Sequence, residues 1–465
     1  MTDQQLDSPT GIRARFGLAA ILAATFMGQV DGFIVTVAAP SVQRDLPASF
    51  GQIQLIGASY VLACAAGLAT GGRLGDRYGR RRVFLAGIAV FTVASLLCGV
   101  APNAEVLIAM RFVQGAAAAA LVPQELALIR SIFLDETRLT RAISLYGVVL
   151  GLGVICGLAG GGFLVHWNPG GLGWRAVFLI NVPIGLLILL LGRTITESRS
   201  SRAPGLDLAG AGLTAVGLPA LLLPLVLGGD GLIWASPVVA VAAILALVVQ
   251  QRRVTEPLYP RRVLAAPGMV AGLAAITTFF AGNAGLFLVF TYYVQTGLGR
   301  EPLTAGLMFV PLGIAFAAGS ALSGKLVARF GQRLPIMGCV FLAAALLAHL
   351  AVVQAPPPAQ TVLLGIAIGV VGLAEGLVVS PLIAGIFNQV SPDDAGATSG
   401  IAATVTQFAL AAGYTTVGFC YRQVLGVTPG AQTTFTEHVR AYSVTLALLV
   451  GLALATALLC ARRTD

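Results

Sequence analysis

"GGRLGDRYGRRR", residues 71–82, sets five arginines and one aspartate into twelve residues of a chain that is only 10% charged. Long apolar runs flank it on both sides. A basic patch for nucleic acid, a phosphate loop and a short connection between membrane helices would each produce such a cluster. Its echo decides among them: "GRLGDRYGRR" (72–81) follows the second apolar run and "GKLVARFGQR" (324–333) the tenth. Both read G-x-L-x-x-R-aromatic-G-x-R. Two such loops between closely spaced apolar runs point to a chain built from two related halves. Parallel six-helix halves about an axis along the membrane normal are a known transporter plan.

Composition agrees with that reading. Hydrophobic residues make up 57% of the 465 and mean hydropathy is +0.90, where soluble domains are about 25% charged and ~45–50% apolar. So much apolar surface cannot be hidden from water, and the chain is read as an all-α polytopic membrane protein. The net charge of +9 does not indicate nucleic acid, because the arginines cluster between apolar runs and not along one face or tail. Cys64, Cys98, Cys156, Cys339, Cys420 and Cys460 lie inside apolar stretches without C-x-x-C spacing, and read as small packing residues. Arg13 and Arg15 precede an apolar run from Phe16 to about Pro40. That run exceeds the ~7–15 residues of a signal core, so it reads as a retained first helix.

A membrane helix needs roughly 20 mostly apolar residues. Charges, prolines and Gly-rich turns divide the chain into fourteen spans, beginning near Phe16, Gln52, Val83, Ala104, Ala142, Trp174, Leu206, Leu232, Gly268, Leu303, Leu334, Thr361, Thr398 and Ala441. The seventh and eighth are split at "GGDGLIW". With the N-terminus inside, alternate loops sort the basic residues. Arg13, Arg15, the Arg73–Arg82 cluster, Arg130, Arg138, Arg141, Arg193, Arg199, Arg202, Arg252, Arg253, Arg261, Arg262, Lys325, Arg329, Arg333, Arg462 and Arg463 fall inside, while Arg44, Arg175, Arg300, Arg422 and Arg440 fall outside. Enrichment of Arg and Lys on the cytoplasmic side predicts that both termini are cytoplasmic. The expected division is a tail (1–15), an N-terminal six-helix bundle (16–192), two extra helices with flanking cytoplasmic loops (193–262), a C-terminal six-helix bundle (263–461) and a tail (462–465).

Gly72, Leu74, Asp76, Arg77, Gly79, Arg80 and Arg81 resemble the signature loop G-x-L-a-D-r-x-G-r-k of the major facilitator superfamily. Three further stretches resemble its fourteen-helix drug:proton antiporter branch. "DGFIVTVAAP" (31–40) is similar to the first-helix motif L-D-x-T-I-V-N-V-A-L-P, "MRFVQGAAAA" (110–119) to the fourth-helix R-x-x-Q-G, and "WRAVFLINVPIG" (174–185) to the segment opening the sixth helix. The fifth-helix motif G-x-x-x-G-P-x-x-G-G appears as "GVICGLAGGG" (153–162), with Leu158 in place of proline. Phe33 and Thr36 also depart from the first-helix motif. The resemblance implies a major-facilitator fold of two six-helix bundles plus two central helices. It also implies multidrug or antibiotic efflux driven by protons.

Ionisable groups inside a bilayer are costly and are functional candidates by default. Asp31 and Arg111 lie at similar depths in the first and fourth helices, which permits contact. They are candidates for lining the cavity, Asp31 exchanging protons or attracting a cationic substrate, or else for a fixed ion pair. Glu125, just after Pro123, either faces the cavity or snorkels. Glu375, near mid-span in "VVGLAEGLVV", is the fourth proton-coupling or substrate-cavity candidate. Asn283 and Gln407, uncharged and mid-span, suit helix-to-helix hydrogen bonds or substrate contact. His166 and His349 lie near span ends without metal-ligand neighbours. Phe279, Phe280, Phe287, Tyr292 and Tyr293 either form an aromatic wall or, as the simpler reading, pack in lipid-facing or interfacial positions. Gly153, Gly157 and Gly161 share one helix face, for close packing or for a contact between the halves. On the family resemblance Gly72, Asp76, Arg77, Gly79, Arg80 and Arg81 form a conformational gate loop whose arginines brace the opposite half, with Asp76 near the start of the third helix. Its second copy has Ala328 in place of Asp76, so the two gates are not equivalent.

"GSALSGK" (319–325) matches part of a phosphate loop, but Leu326 replaces the required Ser/Thr and the stretch ends a membrane helix. No enzyme motif, cofactor site or metal cluster is visible. The resemblance therefore implies a monomeric bacterial cytoplasmic-membrane transporter that exports a small hydrophobic or cationic compound in exchange for protons by alternating access. A proton-coupled uptake symporter or facilitator of the same fold is the alternative.

Overall fold

A computed structural model describes residues 11–200, 205–227, 235–391, 394–426 and 433–462. Its long helices are α1 (Gly11–Asp45), α2 (Phe50–Tyr78), α3 (Arg80–Gly99), α4 (Ala104–Ile132) and α5 (Glu136–Trp167). They continue with α6 (Gly173–Thr194, interrupted by 3-10 turns), α7 (Leu208–Leu227), α8 (Ser236–Arg253), α9 (Met269–Tyr292) and α10 (Pro302–Phe330). The last are α11 (Leu334–Val353), α12 (Pro357–Phe387), α13 (Ala395–Leu425) and α14 (Phe435–Ala461). Twelve stretches among the described residues are long and apolar enough to cross a membrane. One of them, Pro302–Val353, comprises both α10 and α11. The 31-residue α13 is long enough but diluted by Gly, Thr and Gln. The fourteen expected spans are thus fourteen long helices among the described residues, each starting within six residues of its expected position. The separating "GGDGLIW", most of both expected tails, Arg202 and Arg463 lie outside the described residues.

Helix ends follow local chemistry. Ser49 and Thr434 open α2 and α14 with reciprocal capping boxes, and Asn103 and Asp135 cap α4 and α5. Each satisfies amide groups that a helix start leaves without partners.

The duplication seen in the loops extends through the helices. The spacing that relates Gly72 to Gly324 also relates Phe50 to Pro302 at the starts of α2 and α10, and Tyr78 to Phe330 at their ends. It places Asp31 opposite Asn283. Within each half the first helix packs on the fifth and the second on the fourth, as α1 on α5 and α9 on α13. Between halves, α2 meets α13 and α5 meets α10. The extra hairpin α7–α8 lies against α2 and α13, with Val226 O directly over Gly51.

The halves join firmly on the face opposite the arginine-rich loops. Tyr292 donates to Gln43 (2.8 Å), Gln295 to the carbonyl of Val37 (2.8 Å), and Gln54 to those of Tyr414 and Thr415 (2.7 and 3.1 Å). Thr36 and Tyr414 share a 2.7 Å hydroxyl contact, and Phe33 meets Phe287. Gln295 belongs to a π-helical turn, Tyr293–Gly297, that ends α9. Phe279, Phe287, Tyr292 and Tyr293 are buried, which corrects the lipid-facing expectation. Their rings pack between helices, and Tyr293 stacks on Tyr442 with centroids 4.5 Å apart.

The segments on either side of the hairpin are pinned to α2. Arg73 donates to the carbonyls of Gly205, Glu256 and Pro257 (2.7–2.9 Å). Burial acts to raise the Asp207 carboxyl, but hydrogen bonds from Gln251, the Gly210 amide and Gln250 outweigh it and hold it below its ordinary value.

Candidate functional site

Apolar helix faces bring three polar side chains onto Asp31. Its Oδ2 lies 2.5 Å from Arg111 Nη1, and its Oδ1 accepts from Gln114 Nε2 (2.9 Å) and Asn181 Nδ2 (2.8 Å). Arg111 also donates to Gln114 Oε1 (2.8 Å) and sits over the Tyr60 ring, 4.3 Å from its centroid. Asn181 donates onward to Ser95 (3.0 Å). Asp31 and Arg111 are 0% and 1% exposed, so both lie inside the N-terminal bundle, among α1, α2, α3, α4 and α6, and not on an open cavity wall. Three donors suit a carboxylate anion, and the guanidinium neutralises it. The sequence permitted this pair; only the fold joins it. Asn181 joins the site from "WRAVFLINVPIG", where an amide within the apolar "FLIN" is the only sequence signal for it.

Glu125 does not snorkel. It is buried between α1, α4 and α5, where its Oε2 accepts from Thr25 (2.9 Å) and Tyr146 (3.0 Å). Its Oε1 is buried without a hydrogen-bond partner among the described residues, a position that can carry a proton without breaking either contact. Thr25 lies six residues before Asp31, roughly 9 Å along α1. Glu375 accepts from Asn283 (2.9 Å) and borders an apolar cleft with Phe279, Leu342, Leu346 and Leu449. That cleft lies within the C-terminal bundle. The four acidic and basic candidates therefore form three separate sites: Asp31–Arg111, Glu125 and Glu375. Gln407 reaches Cys64 across the halves (3.5 Å), His349 bonds Tyr442 (3.0 Å), and His166 meets Glu301 (3.1 Å).

The gate loop takes different partners from those expected. Asp76 lies in the last turn of α2, not at the start of α3, and pairs with Arg80 (2.8 Å). Glu197, from the end of α6, accepts from the backbone amides of Arg81 (3.0 Å) and Arg82 (3.2 Å). It places an anion at the N-terminus of α3, where the helix dipole favours one. Gly79 between them has φ +106°, a conformation costly for any residue with a Cβ. Arg77 lies over Tyr78, and Gly72 lies beside Pro123. Among the described residues no ion pair links this loop to the opposite half. Glu197 was missed because its partners are backbone groups more than a hundred residues away.

The fifth-helix glycines serve packing within one half. A Cβ on Gly153 would meet Gln29, on Gly157 the Val30 carbonyl at 2.9 Å, and on Gly161 the Ile34 carbonyl at 2.8 Å, all on α1. The contact between halves belongs instead to Gly162, which faces Pro302 and Gly306 on α10.

Residues 21–414 match the Major Facilitator Superfamily. The chain belongs to this family. It is a transporter and not an enzyme, and its substrates are small molecules. It is 36% identical to the puromycin resistance protein of Streptomyces alboniger, covering 96% of this chain and 90% of that one. It is 35% identical to the probable actinorhodin transporter of Streptomyces coelicolor, covering 90% and 74% respectively. A bacterial homologue of the human lysosomal transporter Spinster, solved in an inward-facing and occupied conformation, superposes with TM-score 0.70 at 17% identity, covering 98% of this chain and 97% of that one. This major-facilitator chain is accordingly a multi-pass membrane protein.

Proposed function

We propose that this chain exports a small hydrophobic or cationic compound from a bacterial cytoplasm in exchange for protons. The observation that carries the reading is the dry Asp31–Arg111 pair, closed by Gln114 and Asn181. A charge pair sealed inside a membrane bundle is costly. Protonating Asp31 removes its side of the attraction and frees Arg111, so proton entry and helix rearrangement are linked. Glu125 and Glu375 serve as further proton or substrate groups. Relatives named for actinorhodin transport and puromycin resistance support export as the direction.

On this reading the arginine-rich face is cytoplasmic, as are both termini. The bundles of residues 16–192 and 263–461 rock against one another to alternate access to the space between them, and the monomer is the working unit. The gate loop at Gly72–Arg81 stabilises the cytoplasmic end of its own half.

Proteoliposomes with an imposed pH gradient test the coupling. Puromycin, ethidium and Hoechst 33342 are added in turn, and a transported compound is expected to dissipate the gradient in the antiport direction. Asp31→Asn is expected to abolish that flux. Dissipation in the symport direction would establish uptake, and no dissipation with any of them would sink proton exchange.

A further inference from the structure

Gly365, Gly369, Gly372 and Gly376 recur along one face of α12 and record its distance from α10. A Cβ on Gly376 or Gly372 would press into the Phe316 or Leu312 carbonyl of α10. On Gly369, one turn nearer the face opposite the arginine-rich loops, it would lie 3.3 Å from Pro311 Cβ. On Gly365, a further turn along, it would meet nothing within 4 Å. The two helices therefore close tightly along their middle and part from Pro311 toward that face. Pro311 stands in the interior of α10, where a proline removes a helix hydrogen bond and favours a bend.

The parting leaves a groove of about 360 Å³, walled by Leu307 and Met308 of α10 and by Thr361, Val362 and Ile366 of α12. Leu307, Val362 and Ile366 are exposed, Val362 at 68%. All five lie in stretches long and apolar enough to cross a membrane, so the mouth opens on hydrocarbon and not on water. The floor, where Pro311 meets Gly369, lies nine residues into α10, roughly 13 Å from its start. Thr361 lies only four residues into α12, roughly 6 Å from its start. Its hydroxyl oxygen is buried without a hydrogen-bond partner among the described residues, which is costly in an apolar surrounding. Arg300, two residues before α10, is exposed and has no ion-pair partner among the described residues.

We propose that this groove holds one acyl chain of a glycerophospholipid from the leaflet opposite the arginine-rich loops. The chain lies against Leu307, Val362 and Ile366 and ends at the Pro311–Gly369 floor. Near the mouth its ester carbonyl accepts from the Thr361 hydroxyl, which gives that group the partner it lacks. Arg300 supplies a cation for the phosphate at the same end. A plain hydrocarbon would fill the groove but leave Thr361 unpaired, so the site prefers a chain with an acceptor beside its head. The same length of α10 bears on α5, where Gly306 faces the carbonyls of Leu158 and Ala159. A held chain therefore fills the space behind a segment that joins the two halves. The assignment goes beyond the export reading and does not depend on it.

The test uses the purified full chain, stripped of lipid in detergent and titrated with dioleoyl-phosphatidylglycerol, with bound lipid counted by native mass spectrometry. One molecule is expected to bind ahead of the rest. Gly365→Phe fills the groove and is expected to weaken that first binding about tenfold. Thr361→Val is expected to weaken it severalfold, and an ether-linked phosphatidylglycerol should bind the unaltered chain as weakly. Gly160→Leu, on α5 and equally open at its Cβ, should leave the first binding unchanged. Val362→Trp is an independent plug should Gly365→Phe not fold, as judged by thermal unfolding without lipid. Equal first binding by the unaltered chain and a folded plug variant would overturn the site. Equal binding of the ether and ester lipids would overturn the Thr361 contact. Displacement of the lipid by puromycin, ethidium or Hoechst 33342 would assign the groove to transported compounds and overturn the lipid assignment. A chain that binds the lipid as expected yet moves no compound keeps the lipid site and loses the export reading.

Discussion

Asp31 has three hydrogen-bond donors and no water-facing surface, so the energetics of its site depend on keeping charge and partner together. Removing one partner of a buried pair costs about 3–5 kcal/mol, whereas replacing both with neutral groups of similar shape costs far less. Arg111→Ala is therefore expected to lower stability by about that amount, and Asp31→Asn with Arg111→Gln by much less. Thermal unfolding of the purified variants, combined as a double-mutant cycle, measures the difference. A fully additive double variant would show that the pair is not energetically coupled. The residue types and depths were legible in the sequence, because a lone Asp and Arg stand out in apolar runs. Their separation by 80 positions was not. Nor could the sequence show that Glu125 lies near Thr25 and Tyr146, which depends on how α1, α4 and α5 meet.

At the scale of the helix, α5 has two working faces. Gly153, Gly157 and Gly161 receive α1, while Gly162 receives α10. Gly157→Leu forces a side chain against the Val30 carbonyl and is expected to cost about 1–3 kcal/mol from overpacking. Gly160→Leu, with nothing within 4 Å of its Cβ, is expected to leave the unfolding midpoint nearly unchanged. Equal loss in both variants would mean that backbone propensity, not the α1 contact, governs this helix. The repeat of the three glycines was visible as spacing alone. Which neighbour they receive was not, since any small-residue face fits any close helix.

For the whole molecule, the two bundles are latched on the face opposite the arginine-rich loops by Tyr292–Gln43 and Gln295–Val37. Each neutral hydrogen bond is worth about 1 kcal/mol net, so Tyr292→Phe with Gln295→Ala should shift the equilibrium toward opening there by about ten- to thirtyfold. Distance distributions between spin labels at Arg44→Cys and Leu298→Cys should lengthen; an unchanged distribution would mean that these bonds do not hold the closure. Apolar run length, loop charge and the repeated loop determined the membrane class, the fourteen helices and the duplication, because burial in lipid imposes those patterns along the chain. The tertiary structure alone decided that Asp31 joins Arg111 inside one bundle, that Glu197 caps the gate loop, and that α2 meets α13 while α5 meets α10. Those outcomes depend on which helix faces meet across distant parts of the chain, and local periodicity does not encode that choice.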